Sequence, residues 1–318
     1  MNDGGAIPYV NNSVAQRDFK YYIFDWDDNI LHMPTRILME HKGEDGVWRG
    51  VELSTSTFAL VRTDTAHYRP PPGGWDEAFK NFADAAPGEP EAQNAFLADT
   101  MAALARVSRG GRASPSFATF RKTLIEGRLF AIVTARGHAP STIEKAVRLF
   151  IDNALTPLER ETMMSNLRGY RRWLDRVETF GTDAQELDYY LGMCRYSAVT
   201  NALFKRRMAE DPVYGEKLAT ASVAARPELA KEFAIRDFVE HVFHMLKRKG
   251  GFDRPVAIGF SDDDKGNVAS VSNYIRSELS KRFRGIKFVV YDTSDRTLSK
   301  GRKVCVTGQA ELPGLSPA

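Results

Sequence analysis

Four short apolar runs stand out along the chain, and each of them stops at acidic or hydroxyl-bearing residues. They occupy positions 21–24, 129–133, 256–260 and 286–291. Short runs rich in β-branched and aromatic side chains are typical of strands that are buried on both faces, as strands of parallel sheets are. We therefore predict that these four runs are strands of one buried parallel sheet.

Apolar residues at helical spacing lie between these runs. Their pattern predicts helices over positions 142–153, 229–249 and 268–283. The alternation of strands and helices predicts an α/β fold, namely a Rossmann-like parallel sheet with helices on both faces and right-handed crossovers. Ligands of such sheets bind at the carboxyl ends of the strands, which is where these runs place their polar residues.

Two long segments interrupt the alternation, and we expect both to lie over the strand ends as caps. The first follows the first strand and combines an extended hairpin, which turns at 43–46, with helical sequence. The other has a mostly helical pattern. The predicted organisation is a tail (1–17), three core segments (18–62, 116–155 and 227–318), an insertion (63–115) and a helical cap insertion (156–226).

The composition is that of an ordinary globular protein. Hydrophobic residues make up 43% and charged residues 27% of the chain, which argues against wholesale disorder. The net charge of only +3 predicts no general affinity for nucleic acid. Basic clusters at 168–176, 205–207 and 247–249 are either solvated helix faces or a means of attracting an anionic substrate.

The sequence contains no indication of secretion or of a membrane. Residues 1–17 are polar and lack an apolar signal core, and no apolar stretch approaches the ~18 residues of a membrane helix. Cys194 and Cys305 lack the spacing of a disulfide framework or a metal site, and they suit a reducing cytosol. We expect a cytoplasmic protein without a membrane partner.

Acidic residues follow the first and third of the apolar runs. Asp25 and Asp27 are two positions apart, so on an extended chain their side chains point to the same side. Asp262, Asp263 and Asp264 follow the third run. If the strands are neighbours, these carboxylates repel one another unless some are protonated or a cation is bound. Oxygen ligands without a nearby histidine or cysteine favour Mg²⁺ over zinc, so we predict a Mg²⁺ site.

The order of these strand ends resembles the haloacid dehalogenase superfamily, and specifically its phosphatase-type members. The resemblance is carried by the segments at 24–29 (FDWDDN), 132–136 (IVTAR) and 261–267 (SDDDKGN). The signature of that superfamily is an Asp-x-Asp-x-Thr strand end, a strand-terminal Thr or Ser, a lysine and a late acidic pair. The resemblance covers the sheet domain and does not extend to the two insertions.

The resemblance implies a role for each matching residue. Asp25 would attack phosphorus and form an aspartyl-phosphate. Asp27 would act as general acid to the leaving oxygen and then as base for the hydrolytic water. Thr134 and Ala135 would bind the phosphate of the substrate, together with Lys231. Mg²⁺ would be held by Asp25, Asp262, Asp263 and the backbone carbonyl of Asp27.

Two positions depart from the pattern or leave it open. Asn29 stands where the superfamily usually has a threonine, and we expect it to make local hydrogen bonds to the turn. Lys231 fits the position of the superfamily's lysine best because its helix leads into the third motif strand. A lysine on a solvated helix face is the alternative for this residue.

The function implied by these residues is Mg²⁺-dependent hydrolysis of a phosphomonoester through an aspartyl-phosphate on Asp25. One alternative is a phosphotransferase that passes the phosphoryl group to an acceptor other than water. Another is a catalytically weak binding protein that recognises a phosphorylated partner. The expected substrate is a phosphorylated small molecule, while the basic clusters leave room for a nucleic-acid end, which salt-sensitive binding to oligonucleotides would reveal.

Overall fold

The computed structural model describes residues 17–84, 95–222, 225–248, 254–295, 297–298 and 300–308. Strands and helices alternate through most of this range. The strands are β1 (Phe19–Phe24), β2 (Ile37–Lys42), β3 (Trp48–Leu53), β4 (Tyr68–Arg69), β5 (Phe130–Thr134), β6 (Arg195–Ala198), β7 (Val256–Asp262), β8 (Ile286–Asp292) and β9 (Arg302–Thr307).

The helices of the described residues range from short turns to a 23-residue helix. They are α1 (Thr55–Val61), α2 (Gly74–Ala78), α3 (Ala95–Ser108), α4 (Phe117–Ile125), α5 (Pro140–Ala154), α6 (Pro157–Asp175), α7 (Asp183–Met193), α8 (Ala202–Glu210), α9 (Pro212–Thr220), α10 (Arg226–Arg248), α11 (Lys265–Tyr274) and α12 (Ser280–Arg282). A 3₁₀ turn covers Lys80–Phe82, and a π-helical turn (Ile275–Leu279) joins the last two helices. No helix in the described part of the chain is long and apolar enough to cross a membrane.

A six-stranded sheet forms the centre of the molecule, with the strand order β6-β5-β1-β7-β8-β9. All neighbouring strands are parallel except the last pair, β8 and β9. The four predicted strands are β1, β5, β7 and β8, so the prediction of a mostly parallel α/β sheet is confirmed. Because β1 lies between β5 and β7, the polar residues that follow these three strands meet at one edge.

The segment 156–226, predicted as a helical cap insertion, is mostly helical in its described residues, but it does not stand apart from the core. Its strand β6 pairs with β5 in register from Ala131↔Arg195 to Thr134↔Ala198. Apolar side chains of α6 and α7, including Met163, Leu167 and Leu191, belong to the same apolar core as the sheet. The segment packs on the core because α6 and α7 each have an apolar face, which is buried against the sheet.

The predicted hairpin forms a second, smaller sheet. Strand β2 pairs antiparallel with β3 and with β4, and the β2–β3 connection turns at the expected glycines, with Gly46 at φ 75°. This sheet has a core of its own, formed by Ile37, Met39, Leu53, Ala78 and Phe82. Helix α1 follows β3 and buries none of its residues.

Candidate functional site

Asp25 lies at the carboxyl end of the central strand. It directly follows β1, is only 7% exposed, and its backbone N–H donates to the carbonyl of Ser261 at 3.0 Å. The sheet register pairs Phe24 with Ile132 on one side and with Ser261 on the other. Thr134 and Asp262 therefore end the two strands that flank Asp25, as the order of the sequence segments predicted.

Lys231 of α10 reaches into this strand edge. Its Nζ lies 2.6 Å from Oδ2 of Asp262 and 3.4 Å from Oδ1 of Asp25, and the residue is only 5% exposed. Burial by itself lowers the pKa of this ammonium group, but the attraction of Asp262 and Asp25 outweighs burial, so the pKa is raised. The alternative of a solvated lysine is wrong, because Lys231 is a buried, charged bridge between two carboxylates.

The carboxylates at this edge outnumber the buried cation beside them. Burial raises the pKa of Asp25 well above its usual range, Lys231 opposes the rise, and the charges of Asp262 and Asp27 add to it. Burial also raises the pKa of Asp263, to which the charges of Asp25, Asp262 and Asp28 contribute further. The carboxylates of Asp25 and Asp263 therefore face excess negative charge that a further cation would relieve.

Asp262 is fully occupied by donors from this chain. Its Oδ1 accepts from the backbone N–H of Asp264 at 2.9 Å and from Nδ2 of Asn267 at 3.2 Å, while Oδ2 accepts from Lys231. The structure thus gives Asp262 the task of holding the lysine. Of the other predicted ligands, the backbone carbonyl of Asp27 accepts from the backbone N–H of Asn29 at 2.6 Å, so only one of its two lone pairs remains for a cation. The carboxylate oxygens of Asp25 and Asp263 are hard donors of the kind that suits a divalent cation.

No group of three or more His, Cys, Asp and Glu side chains within the described ranges is arranged as a ready set of metal ligands. The chemistry of the donors nevertheless fits Mg²⁺, because they are hard oxygen atoms. Burial, and after it the charges of neighbouring carboxylates, raises the pKa of Asp25 and of Asp263, and a bound cation would offset both causes. The predicted metal site therefore remains a prediction, with a revised set of ligands.

Asp27 does not face an open site with free oxygen atoms. Arg136 donates from Nε to Oδ2 at 2.8 Å and from Nη2 to Oδ1 at 2.7 Å, which makes a two-pronged ion pair. The guanidinium group of Arg136 lies 4.5 Å from the ring centre of Phe82 and 4.6 Å from that of Phe96. The sequence pattern marks Arg136 only as part of a strand end, and no spacing rule points to its partner.

Thr134 and Ala135 occupy the expected place on the other side of Asp25. Thr134 is buried, and its Oγ1 accepts from the backbone N–H of Arg136 at 3.3 Å. Ala135 is exposed, and its carbonyl accepts from Oγ1 of Thr200 at 3.0 Å. Ala135 is thus an exposed residue that directly follows the strand beside β1.

Asn29 connects four separate segments beneath the site. Its Nδ2 donates to the carbonyls of Asp25 at 2.9 Å and Ser261 at 3.1 Å, and its Oδ1 accepts from Oγ of Ser116 at 2.7 Å and Oγ1 of Thr293 at 2.8 Å. A threonine has one hydroxyl and could not reach all four groups. The side-chain oxygen of Asn29 thus brings Ser116 and Thr293 into the network, two residues that the sequence pattern does not identify.

The carboxylate of Asp28 contacts a histidine and the start of helix α1. The backbone of this residue lies in the left-handed region at φ 55°. Its Oδ1 lies 2.9 Å from Nδ1 of His32, and its Oδ2 accepts from Oγ1 of Thr55 at the start of α1 at 2.8 Å. At the other end of α1, Arg62 lies 3.3 Å from Oδ2 of Asp264. The loops of two acidic motifs are thus joined to α1 by polar contacts.

Arginines of two basic clusters, at 168–176 and 205–207, form ion pairs with acidic residues. Ion pairs join Arg168 to Asp183, Arg171 to Glu186, Arg172 to Glu178, Arg206 to Glu210 and Arg207 to Asp237. Such pairing is what a solvated helix surface shows, and it weakens the positive field that a nucleic-acid site needs.

Comparisons of the chain with family models, with curated proteins and with solved structures found no match. Function therefore has to be inferred from the chemistry of the strand edge itself.

Proposed function

We propose that this protein is a Mg²⁺-dependent phosphomonoester hydrolase that acts through an aspartyl-phosphate on Asp25. The observation that carries the proposal is the buried carboxylate of Asp25 at the end of the central strand, 3.4 Å from the ammonium group of Lys231. A buried nucleophile beside a fixed cation, with Thr134 at the next strand end, is what attack on a phosphate requires.

Each residue at the strand edge has its own part in the proposed attack on phosphorus. Asp25 attacks the phosphorus atom, and no separate base is needed because its carboxylate is the nucleophile. Lys231 offsets the repulsion between that carboxylate and the phosphate, and Asp262 fixes the position of Lys231. The hydroxyl of Thr134 and the backbone of Ala135 hold the phosphate oxygens.

Mg²⁺ would be held by Asp25, Asp263 and the backbone carbonyl of Asp27. When bound, it would neutralise the charge that develops on the transferred phosphoryl group. The excess of carboxylate over positive charge at this edge supports such a cation.

A phosphotransferase of the same chemistry is the second candidate, and the ion pair between Asp27 and Arg136 favours it. Hydrolysis of an aspartyl-phosphate needs a base for the attacking water, and both oxygens of Asp27 already accept hydrogen bonds from Arg136. Transfer to an acceptor that brings its own nucleophile would not depend on Asp27. A weakly active protein that binds a phosphorylated partner would share the same pocket.

The proposal is tested by measuring phosphate release from 4-nitrophenyl phosphate with Mg²⁺, with EDTA, and with the variant Asp25→Asn. We expect turnover that requires Mg²⁺ and disappears in the variant, and hydroxylamine should trap phosphorylated Asp25 in the wild type. Asp45→Asn, in the exposed hairpin turn, is the matched control and should retain wild-type turnover. Turnover that survives either EDTA or Asp25→Asn would overturn the proposal.

A further inference from the structure

The side chain of Asp27 is held by an arginine that is itself confined by its surroundings. Arg136 is fully buried, and its guanidinium group packs between the rings of Phe82 and Phe96. The Nη2 atom that contacts Asp27 also donates to Oγ1 of Thr35 at 2.8 Å. An arginine confined in this way cannot turn aside without losing contacts on every side.

A second carboxylate, that of Asp99, is connected to this ion pair through Thr35. The hydroxyl of Thr35 accepts from Arg136 and donates in turn to Asp99 of α3. Asp27, Arg136, Thr35 and Asp99 are thus joined in this order by hydrogen bonds that use Nε and Nη2 of the arginine, while its Nη1 is buried without a hydrogen-bond partner among the described residues. Such a network fixes the orientation of its members more firmly than one ion pair would.

A proton donor to the leaving group needs an oxygen that can carry a proton and point it at that group. In Asp27 both oxygens are directed at the guanidinium group of Arg136, at 2.7 and 2.8 Å. Asp27 is therefore placed as an orienting carboxylate rather than as a proton donor.

Building on the proposed function, we propose that the phosphoryl donors of this protein are phosphates whose leaving group departs without being protonated, namely acyl and aryl phosphates, and not alkyl phosphomonoesters. In the transfer step a bond forms between Oδ of Asp25 and phosphorus, and the bond from phosphorus to the leaving oxygen breaks. The leaving group keeps the electron pair and departs as a stable anion, and no proton from Asp27 is required.

The same geometry affects the hydrolytic step. When water attacks the phosphoryl group, a phosphorus–oxygen bond to water forms, the bond to Asp25 breaks, and the electron pair returns to the carboxylate of Asp25. The proton of the water goes to solvent, because Asp27 is engaged by Arg136. Loss of the phosphoryl group is therefore slow, and phosphorylated Asp25 accumulates during turnover.

The test uses the full chain with Mg²⁺ and compares 4-nitrophenyl phosphate, phenyl phosphate and benzyl phosphate, three donors of similar shape. We expect kcat/KM for the nitrophenyl ester to exceed that for the benzyl ester by about 10²-fold or more, because a general acid contributes at least that much to a poor leaving group. We also expect a burst of nitrophenol equal to the concentration of protein. Benzyl phosphate turned over within about tenfold of the nitrophenyl ester would overturn the inference.

The variant Asp27→Asn gives an independent test of the role of that carboxylate. We expect kcat/KM to fall by the same factor for all three donors, because an orienting group affects each of them equally. A general acid would instead show a fall of about 10²- to 10⁴-fold for benzyl phosphate with little change for the nitrophenyl ester. Glu186→Gln, which breaks the buried ion pair with Arg171 away from the site, controls for general loss of stability.

The two proposals fail in different ways. Turnover of benzyl phosphate through a trapped phosphate on Asp25 would overturn the inference and leave the proposed function standing. Absence of any trapped phosphate on Asp25, with acetyl phosphate as well as with the three esters, would overturn both.

Discussion

At the scale of single residues, Lys231 is the side chain on which the candidate site depends most. It is buried between Asp25 and Asp262, and its replacement leaves two carboxylates without their cation. We expect Lys231→Met to lower the free energy of unfolding by about 3 kcal/mol, because removing one partner of a buried ion pair strands the other. Urea denaturation with EDTA present measures this change.

The same helix offers a matched control for that prediction. Lys247 lies near the far end of α10 and is exposed. Lys247→Met should change the free energy of unfolding by less than about 0.5 kcal/mol. Equal effects of the two variants would mean that Lys231 is a surface residue and that its contacts with Asp25 and Asp262 are not formed in solution.

His138 makes stability depend on pH. Both of its ring nitrogens are buried without a hydrogen-bond partner among the described residues, and the ring stacks on Phe96 at 4.7 Å. Burial, assisted by the guanidinium group of Arg136 and opposed by Asp84, lowers the pKa of His138 from 6.5 to about 4. Between these two values the unfolded chain binds more protons than the native protein, so stability falls as the pH falls through this window.

Because of His138, the free energy of unfolding should fall by about 3 kcal/mol as the pH is lowered from 7 to 4. His138→Phe keeps an aromatic ring on Phe96 and should remove this part of the pH dependence, as measured by urea denaturation across the range. His244→Phe, at an exposed position, should leave the pH dependence as it is. Identical pH profiles for wild type and His138→Phe would contradict the prediction.

At the scale of elements, the sequence predicts best those strands that are buried on both faces of the sheet. Strands β1, β5, β7 and β8 are the interior of the sheet and form continuous apolar runs. Strand β6 (RYSA) is a short edge strand with no apolar run, and β9 (RKVCVT) is an exposed antiparallel edge. Their strand structure comes from pairing with a neighbour, which local sequence does not show.

The candidate site likewise has features that the sequence predicts and features that it does not. The meeting of Asp25, Thr134 and Asp262 could be predicted because the ends of adjacent parallel strands share an edge. The pairing of Arg136 with Asp27 could not, since it depends on the way side chains turn after the strands end. The contacts of Asn29 with Ser116 and Thr293 likewise join residues 87 and 264 positions apart.

Helix α1 is held to the sheet domain by polar contacts. It buries no residue, and Leu60 is 82% exposed. Thr55 donates to Asp28, and Arg62, which follows the helix, pairs with Asp264. Phe58 and Val61 of α1 are only partly buried against the core of the smaller sheet. Partly buried apolar contacts give an element low local stability, so the polar contacts should add measurably to the free energy that keeps α1 closed.

We expect the double variant Thr55→Val and Arg62→Ala to speed amide hydrogen exchange at 55–62 by about tenfold, which is the loss of roughly 1.4 kcal/mol of local stability. Exchange in β5 should remain slow. Arg49→Ala, which removes an ion pair with Asp45 at the hairpin turn, should leave α1 unaffected. Unchanged exchange in the double variant would show that other contacts hold the helix.

At the scale of the whole molecule, the distribution of charge matters more than its sum. The chain has a net charge of +3, yet its strand edge gathers Asp25, Asp28, Asp262 and Asp263 around one buried lysine. Repulsion among these carboxylates is a cost that the rest of the fold must offset. A divalent cation that binds only the native protein removes that cost and stabilises the fold by mass action. The stability of the protein should therefore rise with Mg²⁺, by about 2.7 kcal/mol at a concentration about 100 times the Kd.

The variant Asp263→Asn should change the stability of the protein in opposite directions without and with Mg²⁺. Without Mg²⁺ it removes a carboxylate that the charges of Asp25 and Asp262 oppose, so the variant should be more stable than the wild type. With Mg²⁺ the order should reverse, because the variant has lost a ligand and gains little from the ion. Thermal unfolding with EDTA and across a Mg²⁺ titration measures both effects, with Asp45→Asn in the exposed hairpin turn as the control. A variant that is less stable in EDTA, or one that responds to Mg²⁺ as the wild type does, would mean that Asp263 is not part of a cation site.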